Sequence, residues 1–174
     1  MPHSIRLRGP WQLEPLGRAI AAGDGSWRLT TDDLPAACTA EMPADWGAAL
    51  GSDLQGGDFF GLVRHSRKFR RPTGLNASSR VWLVIENVDF QAAVTLNEQP
   101  LGLVQLAGSL PGPPLFDLPF TPAACPARFD VTALLAERNH LLLDILLPPD
   151  AAVPRPQRDN LPGGLLGLVR LEIE

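Results

Sequence analysis

Apolar and polar residues alternate with a period of two in several short runs of this chain, and a proline or glycine closes most of them. In FQAAVTLN, residues 90–97, Ala92, Val94 and Leu96 point one way while Gln91, Ala93, Thr95 and Asn97 point the other. That is a strand with two unlike faces. Asn97 tolerates the left-handed backbone of a tight turn, and LGLVQL, 101–106, returns. The segment therefore predicts a hairpin that turns at Asn97-Glu98-Gln99-Pro100, with Asn97 as its geometric key. Leu141, Leu143, Ile145 and Leu147 alternate into another strand, which Pro148-Pro149 ends. Val169, Leu171 and Ile173 alternate against Leu168, Arg170, Glu172 and Glu174 in a closing strand over 165–174. VWLVIENV, 81–88, is almost continuously apolar, as suits a strand buried on both faces. Further strands are predicted over 5–16, stopping at Pro15, from Trp27, over 61–72, stopping at Pro72, and near 116–120.

The intervening stretches at 47–60, 73–80, 107–126 and 150–164 are rich in glycine, proline and polar residues and read as loops. One short helix is predicted near 132–137, capped by Asp130 or Thr132 and ended at Asn139. Many short strands, one short helix and no β-α-β alternation predict an all-β, two-sheet antiparallel β-sandwich, a jelly roll, as a single domain over 1–174.

Composition supports this architecture and narrows the function. The 16 glycines and 18 prolines fit a turn-rich fold and not a helical bundle. A net charge of −4 is the wrong global balance for a nucleic-acid binder, which normally carries a basic surface. The locally basic RHSRKFRRP, 64–72, reads as the solvated face or edge of a strand. No run of 18 apolar residues spans a membrane. The N-terminus shows no apolar leader, so the expected compartment is cytoplasmic by default. Cys38 and Cys125 lie in no CxxC or zinc spacing. A disulfide between them stays open, and two buried free thiols are the expectation. No metal site, calcium loop or cofactor motif is found.

The stretch 60–173 resembles the N-terminal sugar-binding domain of family 2 glycoside hydrolases, the β-galactosidase and β-glucuronidase group. Four pieces carry the resemblance: FFGLVRHSRKF (59–69), VWLVIENVDFQAAVTLNEQPLG (81–102), FDVTALLAERNHLLLDI (129–145) and GGLLGLVRLEI (163–173). GPWQL and MPADW fit the opening strand and a proline-tryptophan landmark. The sequence departs from the pattern at Glu98 and Arg138, where glycine is usual, and at His65, where tyrosine is common. The resemblance implies a galactose-binding-like jelly roll. It also implies that the catalytic glutamates of such enzymes lie in a separate barrel, for which 174 residues leave no room. No hydrolase activity is expected.

Glycoside hydrolysis needs two positioned carboxylates, and the loop acids here are isolated. The serines sit in no G-x-S-x-G elbow, and His3, His65 and His140 are dispersed. A sugar site would join an aromatic face to polar groups. Trp11, Trp27 and Trp82 read as core. Trp46, beside a glycine-rich loop, is the best candidate for an exposed ring, although burial in the core is the stronger expectation for it too. Asp58 in that loop, and Gln157, Arg158, Asp159 and Asn160 in the densest polar cluster, complete the candidate ligand-binding set. Two readings follow: a non-catalytic carbohydrate-binding-like domain that takes a saccharide, and a structural module that meets a protein partner or its own copy, with 108–120 as an interface.

Overall fold

The computed structural model describes residues 3–50, 59–106, 116–149 and 163–174. In chain order the first half forms β1 (His3–Arg6), β2 (Trp11–Ala21), β3 (Trp27–Thr30), β4 (Cys38–Ala40), β5 (Ala44–Asp45), helix α1 (Trp46–Leu50) and β6 (Gly61–Arg70). The second half adds β7 (Val81–Ile85), β8 (Gln91–Leu96), β9 (Gln99–Gln105), β10 (Ala123–Ala124), β11 (Ala127–Asp130), a 3-10 turn (Thr132–Leu134), β12 (Arg138–Leu147), β13 (Gly164–Leu165) and β14 (Val169–Ile173). The protein is all-β. A four-stranded sheet, β1-β14-β7-β11, is paired with an eight-stranded one, β10-β9-β8-β12-β6-β2-β3, in which β4 also joins β2. Pairing is antiparallel except at β10, which runs parallel to β9.

The core sits where the inward faces meet. Val63, Val94, Leu143, Ile145 and Trp11 come from the large sheet, and Leu83, Ile85 and Leu171 from the small one. Trp11 donates its indole N–H to the Leu7 carbonyl at 2.6 Å, so its one polar atom is satisfied inside the core. No helix among the described residues is long and apolar enough to cross a membrane.

Several expectations change once the strands are assembled. Residues 5–16 do not form one strand. The chain crosses from β1 in the small sheet to β2 in the large sheet at Gly9-Pro10. Pro15 does not end β2: it sits at a bulge against β6 between Pro15 and Gly17, in a stretch of β2 that neither β3 nor β4 pairs, the kind of place where a strand tolerates proline. The expected strand near 116–120 is a run of bends, and the short strand lies instead at β10. The expected helix near 132–137 is the single 3-10 turn. Asn139 belongs to β12 and is buried. Trp82 is half-buried on the outer face of the small sheet, under the Arg128 guanidinium at 4.7 Å, and Trp27 is also only half-buried.

The basic stretch is not an edge. β6 lies between β12 and β2 in the middle of the large sheet. Alternation sends Arg64, Ser66, Lys68 and Arg70 outward and His65, Arg67 and Phe69 inward. Arg64 is held by Asp144 through two bonds of 2.8 Å. His65 is fully buried between Leu13 and Leu143 of the adjacent strands. Both cysteines are free thiols, Cys125 buried and Cys38 half-buried. Burial pushes the Cys125 thiol up to about 11, which leaves it inert at neutral pH.

Candidate functional site

The hairpin β8–β9 closes through a two-residue turn, Asn97-Glu98, with φ of 50° and 67° and Leu96 paired to Gln99. Two consecutive left-handed residues define the tight turn whose twist matches the strands. Glycine would be the relaxed choice at the second position. Asn97 does more than turn the chain. Its Nδ2 donates to the Leu134 carbonyl at 2.8 Å and to Asn139 Oδ1 at 2.9 Å, and its Oδ1 accepts the His140 N–H at 2.8 Å. Asn139 closes on Ala136 in both directions, each bond 2.9 Å. The two amides thus fasten the hairpin tip to the segment that enters β12.

Beside this fastening a groove of ≈ 800 Å³ opens between the start of the small sheet and the far ends of β6 and β12. Ile5, Leu7, Phe69 and Leu171 give it an apolar lining. Arg6, Arg67, Lys68, Arg70, Arg138 and His140 surround that lining. They come together because the antiparallel register sets Arg138 opposite Arg70 and His140 opposite Lys68, while β1 brings Arg6 from the other sheet. His140 shares a 2.7 Å hydrogen bond with the Ser66 hydroxyl. Desolvation first, then Lys68 and Arg64, hold its pKa below the ordinary imidazole value, which favours the neutral ring. The described residues that line the groove include no Asp or Glu, the residue types that paired-carboxylate hydrolysis uses. Among the described residues, no cluster of three or more His, Cys, Asp or Glu could hold a metal ion.

The sequence-selected site is arranged differently. Trp46 is fully buried and offers no face to a sugar ring. Its indole meets Phe59 edge-on at 5.6 Å and lies on the backbone of Gly163 and Gly164, where a Cβ would fall 2.9 Å and 2.6 Å from the ring. The Trp46 backbone N–H donates to the Gly163 carbonyl at 3.1 Å, and β13 pairs Gly164 with Asp45. Trp46 is therefore corrected as a ligand-binding candidate, in line with the stronger expectation that it is core: the tryptophan and the later Gly-Gly landmark are two halves of one packing contact. Asp58, Gln157, Arg158, Asp159 and Asn160 lie outside the described residues. The groove residues were passed over in sequence because each cation reads alone as solvated charge. Only the registers of β1, β6 and β12 collect them.

No family model and no curated protein matches the chain by sequence. Solved structures share its fold. Over 99% of this chain, an FMN-binding β-glucuronidase from Facaelibacterium prausnitzii L2-6 superposes with a TM-score of 0.67 at 20% identity, the match covering 22% of that chain. A Bifidobacterium dentium β-glucuronidase complexed with coumarin-3-O-glucuronide gives 0.63 at 19% identity, with 30% of its chain covered. A β-galactosidase described as putative, from Bacteroides fragilis, gives 0.61 at 18%, with 23% covered. This chain spans less than a third of the length of each of these proteins.

Proposed function

We propose that this chain is a non-catalytic saccharide-binding β-sandwich, equivalent to the sugar-binding domain that family 2 glycosidases carry beside a catalytic barrel. The supporting observation is the likeness in fold to a β-glucuronidase over 99% of this chain at a TM-score of 0.67. The groove is consistent with it. Its volume lies within the roughly 300–1,000 Å³ of ligand sites, which combine an apolar lining with a few polar groups, and the half-buried Phe69 can pack against the apolar side of a pyranose.

Thermal-shift and glycan-array measurements on the full chain test the reading. Stabilisation by at least one class of oligosaccharide, with no release of nitrophenol from nitrophenyl glycosides, is the expected result. Hydrolysis would overturn the non-catalytic part, and a blank array would overturn the binding part.

A second reading, a structural or interaction module, draws on Ile20 and Leu29. Both are 40% exposed and sit on adjacent strands at the β3 edge of the large sheet. Light scattering that showed a dimer broken by Leu29→Lys would favour it.

A further inference from the structure

The proposed binding function leaves the chemistry of the ligand open, and the groove's charge narrows it. The chain carries −4 overall, yet Arg6, Arg67, Lys68, Arg70 and Arg138 converge here with no carboxylate among the described lining residues. Elsewhere among the described residues three arginines are ion-paired, while Arg8, Arg18, Arg28, Arg71 and Arg80 stand singly, so what marks the groove is the convergence of its cations. Arg64 meets Asp144, Arg128 meets Glu172 and Glu174, and Arg170 meets Glu86 and Glu172. Among the described residues, none of the five groove cations has such a partner. Like charges gathered at one end of a sandwich repel one another, and an arriving anion relieves that repulsion.

Arg67 sharpens the point. It is the one groove cation that alternation places on the inner face of β6. Its Nη1 donates to the Pro10 carbonyl at 2.7 Å, which anchors the guanidinium. Its Nε is buried without a hydrogen-bond partner. Guanidinium groups match planar or tetrahedral oxyanions in paired geometry. Among the described lining residues Phe69 is the one phenyl or indole ring, fewer than the successive aromatic faces of a nucleic-acid stacking platform.

We infer that the groove takes an acidic oligosaccharide, one whose rings carry carboxylate or sulfate groups, with a ring on Phe69 and the anionic groups at Arg67, Arg70 and Arg138. This rests on the saccharide-binding reading above.

Calorimetry on the full chain tests it with four probes: a galacturonate hexasaccharide, its carboxyl-reduced neutral counterpart, a heparin hexasaccharide and a hexaglutamate peptide. Binding of one or both acidic saccharides and not of the neutral one is expected, and which of them binds identifies the anion. Raising NaCl from about 50 to about 300 mM should weaken binding about tenfold or more. The double variant Arg67→Gln/Arg138→Gln should weaken it at least about tenfold at an unchanged melting temperature. Should that pair fail to fold, Lys68→Gln/Arg70→Gln on the outward face carries the same test. Equal binding of the neutral counterpart overturns the acidic inference and leaves the saccharide reading standing. Acidic-saccharide binding that ignores both double variants removes the ligand from the groove and overturns the inference. Binding of hexaglutamate alone, or of no probe, overturns the acidic inference, and the saccharide reading falls with it only if the glycan array is blank as well.

Discussion

The β6–β12 pair ends in two different environments. At one end Gly61 faces Leu147, and at the other Arg70 faces Arg138. Nine residue steps at about 3.3 Å each separate them by roughly 30 Å. The first end is packed shut, with Trp46 enclosed by Phe59, Leu147, Gly163 and Gly164. The second is an open groove, ringed by cations without carboxylate partners among the described residues. The residues that stand out in the sequence, a tryptophan beside glycines and a glycine pair before a strand, hold the shut end together. The residues that could meet a ligand belong to no motif. In this sandwich a sequence landmark marks a packing constraint, and recognition falls to side chains that merely end up at the same rim.

The strongest challenge to that contrast is Trp46→Ala. Deleting a fully buried indole leaves a large cavity and should cost about 3–5 kcal/mol, a large share of the 5–15 kcal/mol typical of a whole domain. Urea unfolding followed by circular dichroism would measure it. Trp46→Phe should cost markedly less, since the indole N–H has no hydrogen bond to lose. If Trp46→Ala leaves stability intact and abolishes ligand binding, the two ends have been assigned the wrong way round.

Between the ends lies His65, and it gives the next largest effect. Burial, which outweighs the 3.4 Å contact to the Val63 carbonyl and the attraction of Asp144, lowers its pKa from 6.5 to about 4. Above pH 6.5 the imidazole is neutral in both folded and unfolded chains and contributes no pH dependence. Between pH 6.5 and about 4 the unfolded chain takes up a proton that the folded chain refuses. Stability therefore falls as pH drops, by about 1.4 kcal/mol per unit and about 3 kcal/mol across the window. His65→Leu should remove this loss, and taking the difference between chain and variant cancels the acidic side chains that titrate in both. Parallel stability curves for the two would mean that His65 reaches water, and the core would then be open where it is described as closed.

Much of the fold was legible from the period-two pattern. The alternations in β8, β12 and β14 give their inward faces correctly, because each of these strands buries one side against the same core. What pattern could not give was the partner of each strand. Pro15 looks like a stop until β6 supplies a bulge for it, and 61–72 looks like an edge until β12 and β2 flank it. Trp46 reads as core more than as surface, but what it packs against shows only when Gly164 is seen paired to Asp45. The groove is the extreme case. It needs three registers at once, and no single segment carries its signal.

The smallest effects come from the hairpin tip, where adjacent residues share a backbone conformation and should respond with opposite sign. Asn97 and Glu98 both have φ near +60°, at 50° and 67°, so glycine relieves the backbone at either. At Asn97 it also deletes an amide that makes three bonds to Leu134, Asn139 and His140, and Asn97→Gly should lose about 2 kcal/mol net. Glu98 is exposed, and none of the side-chain bonds described here involves it. A side chain in the left-handed region costs about 1–2 kcal/mol, and part of the gain from removing it is returned as unfolded-chain entropy. Glu98→Gly should therefore stabilise by about 0.5–1 kcal/mol, a rise of roughly 1–4 °C in melting temperature for a chain of this size. Calorimetric scans of the two variants settle the sign. Glu98→Gly also takes a negative charge from the turn beside the cationic groove without touching any residue that lines it, so acidic-oligosaccharide binding should hold or tighten slightly. A loss of stability at Glu98→Gly would show that the carboxylate is engaged at the groove rim, and the clean division between a structural end and a recognising end would have to be redrawn there.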